Sequence, residues 1–179
     1  MGFSALGLNQ ELLNTVAEQG YSEPTPIQAA AIPEILNGQD VMAGAQTGTG
    51  KTAAFALPIL HKLSVNRAPN QTVSALVLVP TRELAQQVHK NFETYAQNTG
   101  LKTALIYGGV SLNTQIETLK AGVEIVVATP GRLLDLMFKR AVDLSEVEYL
   151  VFDEADRMLD MGFIDEIKKI LRSVPVERQ

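Results

Sequence analysis

Apolar residues lie along the chain in two patterns that alternate, short continuous runs and segments with helical periodicity. Continuous runs suited to buried parallel strands occur at 75–79, 103–107, 123–128 and 149–152. Residues 40–52 begin as a further short apolar strand and continue into a glycine-rich turn. Helical periodicity occurs near 8–19, 26–36, 51–63, 81–98, 111–120, 131–138 and 163–172. Together these patterns predict an α/β domain with a mainly parallel sheet and helices on both of its faces.

Capping and turn residues predict several helix ends. Asn9 is expected to cap the first helix, and Gly20 suits a left-handed residue after its end. Pro26 is expected at the first position of the second helix, which ends at the pair 37–38. Residues 66–72 are predicted to form a polar surface loop.

The glycine-rich turn has the composition of a phosphate-binding loop. Its residues are Ala45, Gln46, Thr47, Gly48, Thr49, Gly50, Lys51 and Thr52. Two glycines let backbone N–H groups turn inward, and such a loop before a helix N-terminus binds an anion. Lys51 can then reach the β- and γ-phosphates of a nucleotide, and the Thr52 hydroxyl is placed to ligate Mg²⁺. Ala45 departs from the glycine that the motif expects there, and the alternative is a chance glycine-rich turn before a helix.

Two carboxylates directly follow the apolar run at 149–152. In a nucleotide-binding sheet, Asp153 would hold Mg²⁺, directly or through water, and Glu154 would polarise an attacking water. Acidic residues also stabilise helix N-termini, so capping of a following helix is the alternative for this cluster. Asp156 could have that capping role alone.

Unusual polar, glycine and proline residues follow the other predicted strands. Pro80, Thr81, Arg82 and Glu83 follow the run at 75–79, and Gly108 and Gly109 follow the run at 103–107. The run at 123–128 is followed by Thr129, Pro130, Gly131 and Arg132. In parallel α/β sheets, ligands bind outside the carboxyl ends of the strands. The sequence therefore predicts that this edge of the sheet is the binding face.

Composition limits the class of protein. A chain of 179 residues suits one domain, and a net charge of −5 argues against coating of nucleic acid by bulk positive charge. Cysteine is absent, which excludes disulfides and thiol catalysis and fits a reducing compartment such as the cytoplasm. No apolar run approaches the about 20 residues of a membrane span, so no membrane partner is expected. The Asn-Lys-x-Asp of a GTPase does not occur, whereas a small-molecule kinase is not excluded by chemistry alone.

Six sequence blocks in this order are together specific for one family. They are Pro24-Thr25-Pro26-Ile27-Gln28, residues 45–52, residues 80–85, Gly108-Gly109, residues 129–132 and residues 153–156. With these blocks, residues 3–179 resemble the first RecA-like domain of a DEAD-box RNA helicase. The phosphate-binding loop of that family commonly begins with alanine, in agreement with Ala45. The segments between the blocks are similar to the bacterial RhlE group.

The resemblance implies an ATP site with Mg²⁺. Gln28 would read the adenine edge with its side-chain amide, which both donates and accepts hydrogen bonds, and Tyr21 would stack on the base. Phe3 matches an upstream aromatic residue of the family, and packing of the N-terminal segment is its alternative role. Glu154 would be the general base, and Asp156 would link the ATP site to the rest of the enzyme.

The resemblance also implies RNA contacts after three of the strands. The residues concerned are Pro80, Thr81, Arg82, Gly108, Gly109, Thr129, Pro130, Gly131 and Arg132. Hydroxyl groups, backbone amides and guanidinium groups donate to phosphates without reading the base, whereas the two prolines are expected to shape the loops. Binding through the RNA backbone is expected to be independent of sequence and sensitive to salt.

One strand and one domain of the family are missing from this sequence. The family's first domain continues into a strand that ends in Ser-Ala-Thr, a tripeptide that does not occur here, and a second RecA-like domain follows. We therefore expect residues 1–179 to be the ATP-binding half of an ATP-dependent RNA helicase, with little activity alone. The alternative is a nucleotide-gated RNA-binding or scaffold module without unwinding. The sequence predicts no particular oligomeric state.

Overall fold

A computed structural model describes residues 1–66 and 71–179, and the chain divides into two compact units. The first unit comprises Met1–Arg67, Asn91–Leu101 and Gln179. The second comprises Ala68–Lys90 and Lys102–Arg178. The loop predicted at 66–72 lies largely outside the described residues, which resume at Gln71.

The first unit is helical. A short 3₁₀ helix, Phe3–Leu6, is followed by α1 (Gln10–Glu18), α2 (Pro26–Leu36) and α3 (Lys51–Val65). The C-terminal part of α4 (Arg82–Ala96) also belongs to this unit, where the ring of Phe92 lies 6.1 Å from that of Phe55 in α3. Fully buried side chains of the unit include Leu12, Ile32, Leu57, Leu60 and Phe92. Packing of these apolar faces holds the helices together.

The second unit contains a parallel sheet of four strands, in the order β2-β3-β1-β4. The strands are β1 (Ala75–Leu78), β2 (Thr103–Ile106), β3 (Ile125–Ala128) and β4 (Tyr149–Phe152). Helix α4 follows β1, and α5 (Leu112–Lys120) and α6 (Pro130–Phe138) follow β2 and β3. After β4 come α7 (Ala155–Asp160) and α8 (Ile164–Leu171). Leu76 and Val126 of the sheet share one core with Leu133 of α6 and Ile170 of α8.

The predicted α/β class is confirmed. Each of the four strands lies within its predicted range, and the predicted helices are present with ends shifted by a few residues. The sequence pattern does not predict α7 or the 3₁₀ helix, because each is too short to show helical periodicity. Among the helices of the described ranges, none has both the length and the apolar content of a bilayer span.

The strand predicted at the start of residues 40–52 is wrong. Residues 40–46 form neither helix nor strand, and the side chains of Val41 and Met42 are 42% and 101% exposed. A strand needs a neighbour for its backbone hydrogen bonds, and no strand within the described residues pairs with this segment. Its apolar composition alone therefore does not make it a strand.

The predicted helix ends are confirmed at both ends of α1 and of α2. The Asn9 side chain accepts a hydrogen bond from the Leu12 N–H at 3.1 Å, a cap that stabilises a helix by about 1 kcal/mol relative to alanine. Gly20 follows α1 with a left-handed φ of 76°. Pro26 is the first residue of α2, and Asn37 caps its C-terminus.

Candidate functional site

The predicted phosphate-binding loop lies directly before α3 in the first unit. Gly50 is the N-cap of α3, and Lys51 and Thr52 are its first two residues. The Thr49 hydroxyl donates to the Gln46 carbonyl at 2.7 Å, which closes the turn. Residues 45–52 are all at least partly exposed, so a ligand can reach the backbone N–H groups at the start of the helix. A helix N-terminus carries partial positive charge, and this one therefore suits a phosphate group.

Gly50 meets two requirements that only glycine satisfies. Its φ is 80°, and a Cβ at this position would overlap Nε2 of Gln28. Gln28 is buried in α2, its Nε2 donates to the Gly50 carbonyl at 3.1 Å, and its Oε1 accepts from the Thr25 N–H at 3.0 Å. Both ends of the Gln28 amide thus bind the protein itself here, and its contact with adenine stays a prediction.

Phe3 and Tyr21, the aromatic residues predicted at the base, lie in one cluster. Their rings are stacked with centroids 6.5 Å apart, and the Tyr21 hydroxyl lies 3.2 Å from that of Tyr95. Burial and this hydrogen bond raise the pKa of Tyr95, which therefore stays neutral and can donate. Phe3 is 5% exposed, whereas Tyr21 is 40% exposed. Tyr21 is the member that a ligand can contact, and Phe3 supports its ring.

The four strands of the second unit end at one level. Leu78 of β1 pairs with Ala128 of β3 and with Phe152 of β4, and Ala128 also pairs with Ile106 of β2. The segments that follow, at 79–82, 107–109, 129–132 and 153–156, therefore leave the sheet from its carboxyl edge. The use of this edge as a binding face stays a prediction.

Asp153 and Glu154 occupy different environments. Asp153 is 4% exposed, and its backbone N–H donates to the Leu78 carbonyl at 3.0 Å. Glu154 has φ 55° and ψ 53°, a left-handed conformation that residues other than glycine adopt rarely. Such strain costs about 1–3 kcal/mol and is concentrated at functional sites.

Glu154 is the N-cap residue of α7, where its charge can stabilise the helix N-terminus. Its side chain makes no capping hydrogen bond to α7, and its Oε2 lies 3.4 Å from Nη1 of Arg157. This ion pair is partly exposed and contributes little to stability, about 1 kcal/mol at most. Asp156 lies exposed in the first turn of α7, where its charge also stabilises the helix N-terminus.

The segments after β1 and β2 lie against each other. Pro80 is buried, and the Thr81 hydroxyl accepts from the Leu84 N–H at 3.3 Å at the start of α4. Arg82 is exposed, and a Cβ added at Gly109 would lie 3.4 Å from its Nη1. The exposed pair Gly108 and Gly109 therefore leaves its backbone open beside a guanidinium group.

The segment after β3 begins α6. Thr129 is the N-cap, Pro130 is buried at the first helical position, and Gly131 is exposed. The Arg132 side chain is only 13% exposed, and its Nε lies 3.9 Å from Oδ2 of Asp135. Exposed N–H groups at the start of α6 and the nearby guanidinium group are suited to binding a phosphate.

Two residues that contact these segments were missed by the sequence reasoning, Tyr107 and Gln115. The Arg82 guanidinium lies 5.0 Å from the centroid of the Tyr107 ring, and Gln115 binds both the Tyr107 carbonyl and the Arg132 side chain. A signal for Gln115 exists in the sequence, because it lies on the face of α5 that also carries Leu112 and Leu119. A polar residue on such a stripe is expected to be buried with hydrogen-bond partners.

Comparison with known proteins gives the family. The family described as DEAD/DEAH box helicase matches residues 25–179. The chain is 48% identical over 179 residues to the DEAD-box ATP-dependent RNA helicase CshA of Streptococcus pneumoniae, in an alignment that covers 100% of this chain and 34% of that protein. It is 46% identical over 177 residues to the RNA helicase CrhR of Synechocystis and to the DEAD-box ATP-dependent RNA helicase RhpA of Helicobacter pylori. Each alignment covers 99% of this chain and 35% of the relative.

The chain thus spans about a third of the length of these relatives, and similarity to the RhlE group in particular stays a prediction. The family match covers most of the chain and includes the phosphate-binding loop and the segments at the carboxyl edge of the sheet. The chain belongs to the DEAD/DEAH box helicase family.

Proposed function

We propose that the chain is the ATP-binding half of an ATP-dependent RNA helicase, which couples ATP binding and hydrolysis to RNA binding and local duplex unwinding. The observation that carries this proposal is the common level at which the four strands end. Because of it, three segments rich in phosphate donors share one edge of one sheet with a carboxylate pair. An RNA-dependent hydrolase needs both kinds of group.

The nucleotide-binding groups of the first unit fit the phosphates of ATP. The backbone N–H groups at the start of α3 and the Lys51 ammonium would bind the phosphates, and the Thr52 hydroxyl would ligate Mg²⁺. Mg²⁺ offsets charge on the β- and γ-phosphates when it is bound. Gly50 supports this fit, because its left-handed φ and its closeness to Gln28 keep the loop free of a side chain at that point. Tyr21 would stack on adenine, whose edge Gln28 would read.

The hydrolytic groups belong to the second unit. Asp153 would hold Mg²⁺, directly or through water, and Glu154 would accept the proton of the attacking water. The left-handed backbone of Glu154 supports a functional role, because such strain is concentrated at functional sites. Asp156 would connect hydrolysis to the rest of the enzyme.

RNA is the proposed partner of the other segments at the carboxyl edge. Thr81, Arg82, Gly109, Gly131 and Arg132 offer hydroxyl, amide and guanidinium donors, which suit phosphate and not base edges. Binding should therefore be independent of RNA sequence and should weaken as salt is raised. The lack of cysteine favours the cytoplasm as the compartment in which this occurs.

The open edge of β4 supports a longer protein. Within the described residues β4 pairs only with β1, and the Phe152 side chain is 37% exposed. Strands of parallel sheets are ordinarily buried, and an unpaired edge can accept another strand. We infer that the full-length protein adds the Ser-Ala-Thr strand here and a second RecA-like domain. Arginine fingers from such a domain would raise hydrolysis by roughly 10³- to 10⁵-fold, so the chain alone should be nearly inactive.

Strand displacement by the full-length protein tests this function. We expect a short labelled RNA duplex to be separated only when ATP and Mg²⁺ are present. Duplexes of equal stability and different sequence should be separated at similar rates, because the proposed contacts are to the backbone. RNA binding that depends on ATP but separates no strands would instead favour the nucleotide-gated RNA-binding module.

A further inference from the structure

A chain of side-chain contacts joins the segments after β1, β2 and β3. Tyr107, the residue after β2, lies under the Arg82 guanidinium, 5.0 Å from the ring centroid. Its hydroxyl accepts a hydrogen bond from Nε2 of Gln86 at 3.1 Å. Its backbone carbonyl accepts from Nε2 of Gln115 at 2.9 Å. Tyr107 is therefore held from α4 on one side and from α5 on the other.

Gln115 extends these contacts to Arg132. Its side chain is buried, and its Oε1 accepts from Nη1 of Arg132 at 3.1 Å. The same Nη1 donates to the Val110 carbonyl at 2.9 Å. Because Gln115 donates at one end and accepts at the other, the position needs an amide of this length. Neither a hydrophobic residue nor a carboxylate can form both bonds.

The contacts of Arg132 leave part of its guanidinium for a ligand. They use Nη1 and Nε, and Nη2 makes no hydrogen bond to the residues that the structure describes. A long arginine side chain ordinarily loses conformational entropy when it binds a phosphate. Here the side chain is already ordered by its neighbours, so that cost does not fall on the binding step.

We propose that Gln115 is a positioning residue for RNA, which orders the Arg132 guanidinium and ties it through Tyr107 to Arg82. The inference rests on the proposed function, in which both arginines contact RNA phosphates. Gln115 itself touches no RNA in this proposal. It acts by keeping Arg82, which follows β1, and Arg132, which follows β3, in a fixed arrangement. The regularly spaced phosphates of an RNA backbone can then contact both guanidinium groups.

A double-mutant cycle in the full-length protein tests the proposal. The affinity for a labelled single-stranded RNA is measured with a non-hydrolysable ATP analogue for Gln115→Met, Arg132→Met and the double variant. Methionine keeps the volume of Gln115 and forms neither hydrogen bond. We expect Gln115→Met to weaken binding about threefold to tenfold, and Arg132→Met about tenfold or more. The double variant should bind no more weakly than Arg132→Met, and all three should show a smaller salt dependence than the unaltered protein.

The control is Gln87→Met, which alters an exposed glutamine of α4 and should bind RNA with unchanged affinity. If Gln115→Met does not fold in a thermal unfolding assay, Gln115→Asn replaces it, since a shorter amide stays polar but cannot span both partners. The positioning role would be overturned if the double variant lost RNA affinity by the product of the two single-variant factors. It would also be overturned if Gln115→Met bound RNA as tightly as the unaltered protein. An unaltered protein that binds no RNA would instead overturn the proposed function.

Discussion

Replacing Lys51 with alanine in the full-length protein is expected to abolish ATP binding. Lys51 is the first residue of α3, and its ammonium supplies the side-chain charge that the phosphate-binding loop can offer to the β- and γ-phosphates. Hydrogen bonds to charged groups contribute about 1.5–3 kcal/mol each, and Lys51 would bond both phosphates, so the loss should weaken binding by about a hundredfold or more and leave none detectable. Titration with a fluorescent ATP analogue measures this change.

Lys90→Ala is the matched control, because Lys90 is an exposed lysine of α4 away from the loop in sequence. It should leave the affinity for the analogue unchanged. If Lys51→Ala bound the analogue as tightly as the unaltered protein, the loop at 45–52 would not be the phosphate site.

Glu154→Gln is expected to separate ATP binding from hydrolysis. Glutamine has the shape of glutamate and tolerates the same backbone, but its amide cannot accept the proton of an attacking water. General bases contribute about 10²- to 10⁴-fold to a rate, and single-turnover hydrolysis should fall by this amount while ATP affinity is kept. The partly exposed ion pair with Arg157 is also lost, at a cost in stability of about 1 kcal/mol at most.

The control for this variant is Glu146→Gln, at an exposed position before β4. Its hydrolysis rate should equal that of the unaltered protein. A Glu154→Gln rate near that of the unaltered protein would remove Glu154 from the role of general base.

The sequence predicts the sheet well because the strands of a parallel sheet are continuous apolar runs. The runs at 75–79 and 149–152 contain β1 and β4, and the segments after them leave the same edge. The pattern fails at residues 40–46, a largely apolar segment that pairs with no strand of the described residues. The composition of a segment indicates whether it suits a buried position. Strand formation also depends on whether a neighbouring strand is present to form the backbone hydrogen bonds.

The sequence predicts the types of group at the candidate site better than their contacts. Motif spacing identifies Gln28 and Arg132, but it does not show that the Gln28 amide binds the Gly50 carbonyl. Nor does it show that Arg132 is held by Gln115. These contacts join residues that are distant in sequence, so they follow only from the folded chain.

RNA-stimulated ATP hydrolysis, measured for the full-length protein and for the isolated 179-residue chain, tests the central claim most directly. We expect RNA to raise ATP turnover strongly in the full-length protein, with no preference for RNA sequence. The isolated chain should turn over very little ATP with or without RNA, because the groups proposed for the second domain are absent. ATP turnover by the full-length protein that does not respond to RNA would contradict the account, as would strong RNA-stimulated turnover by the isolated chain.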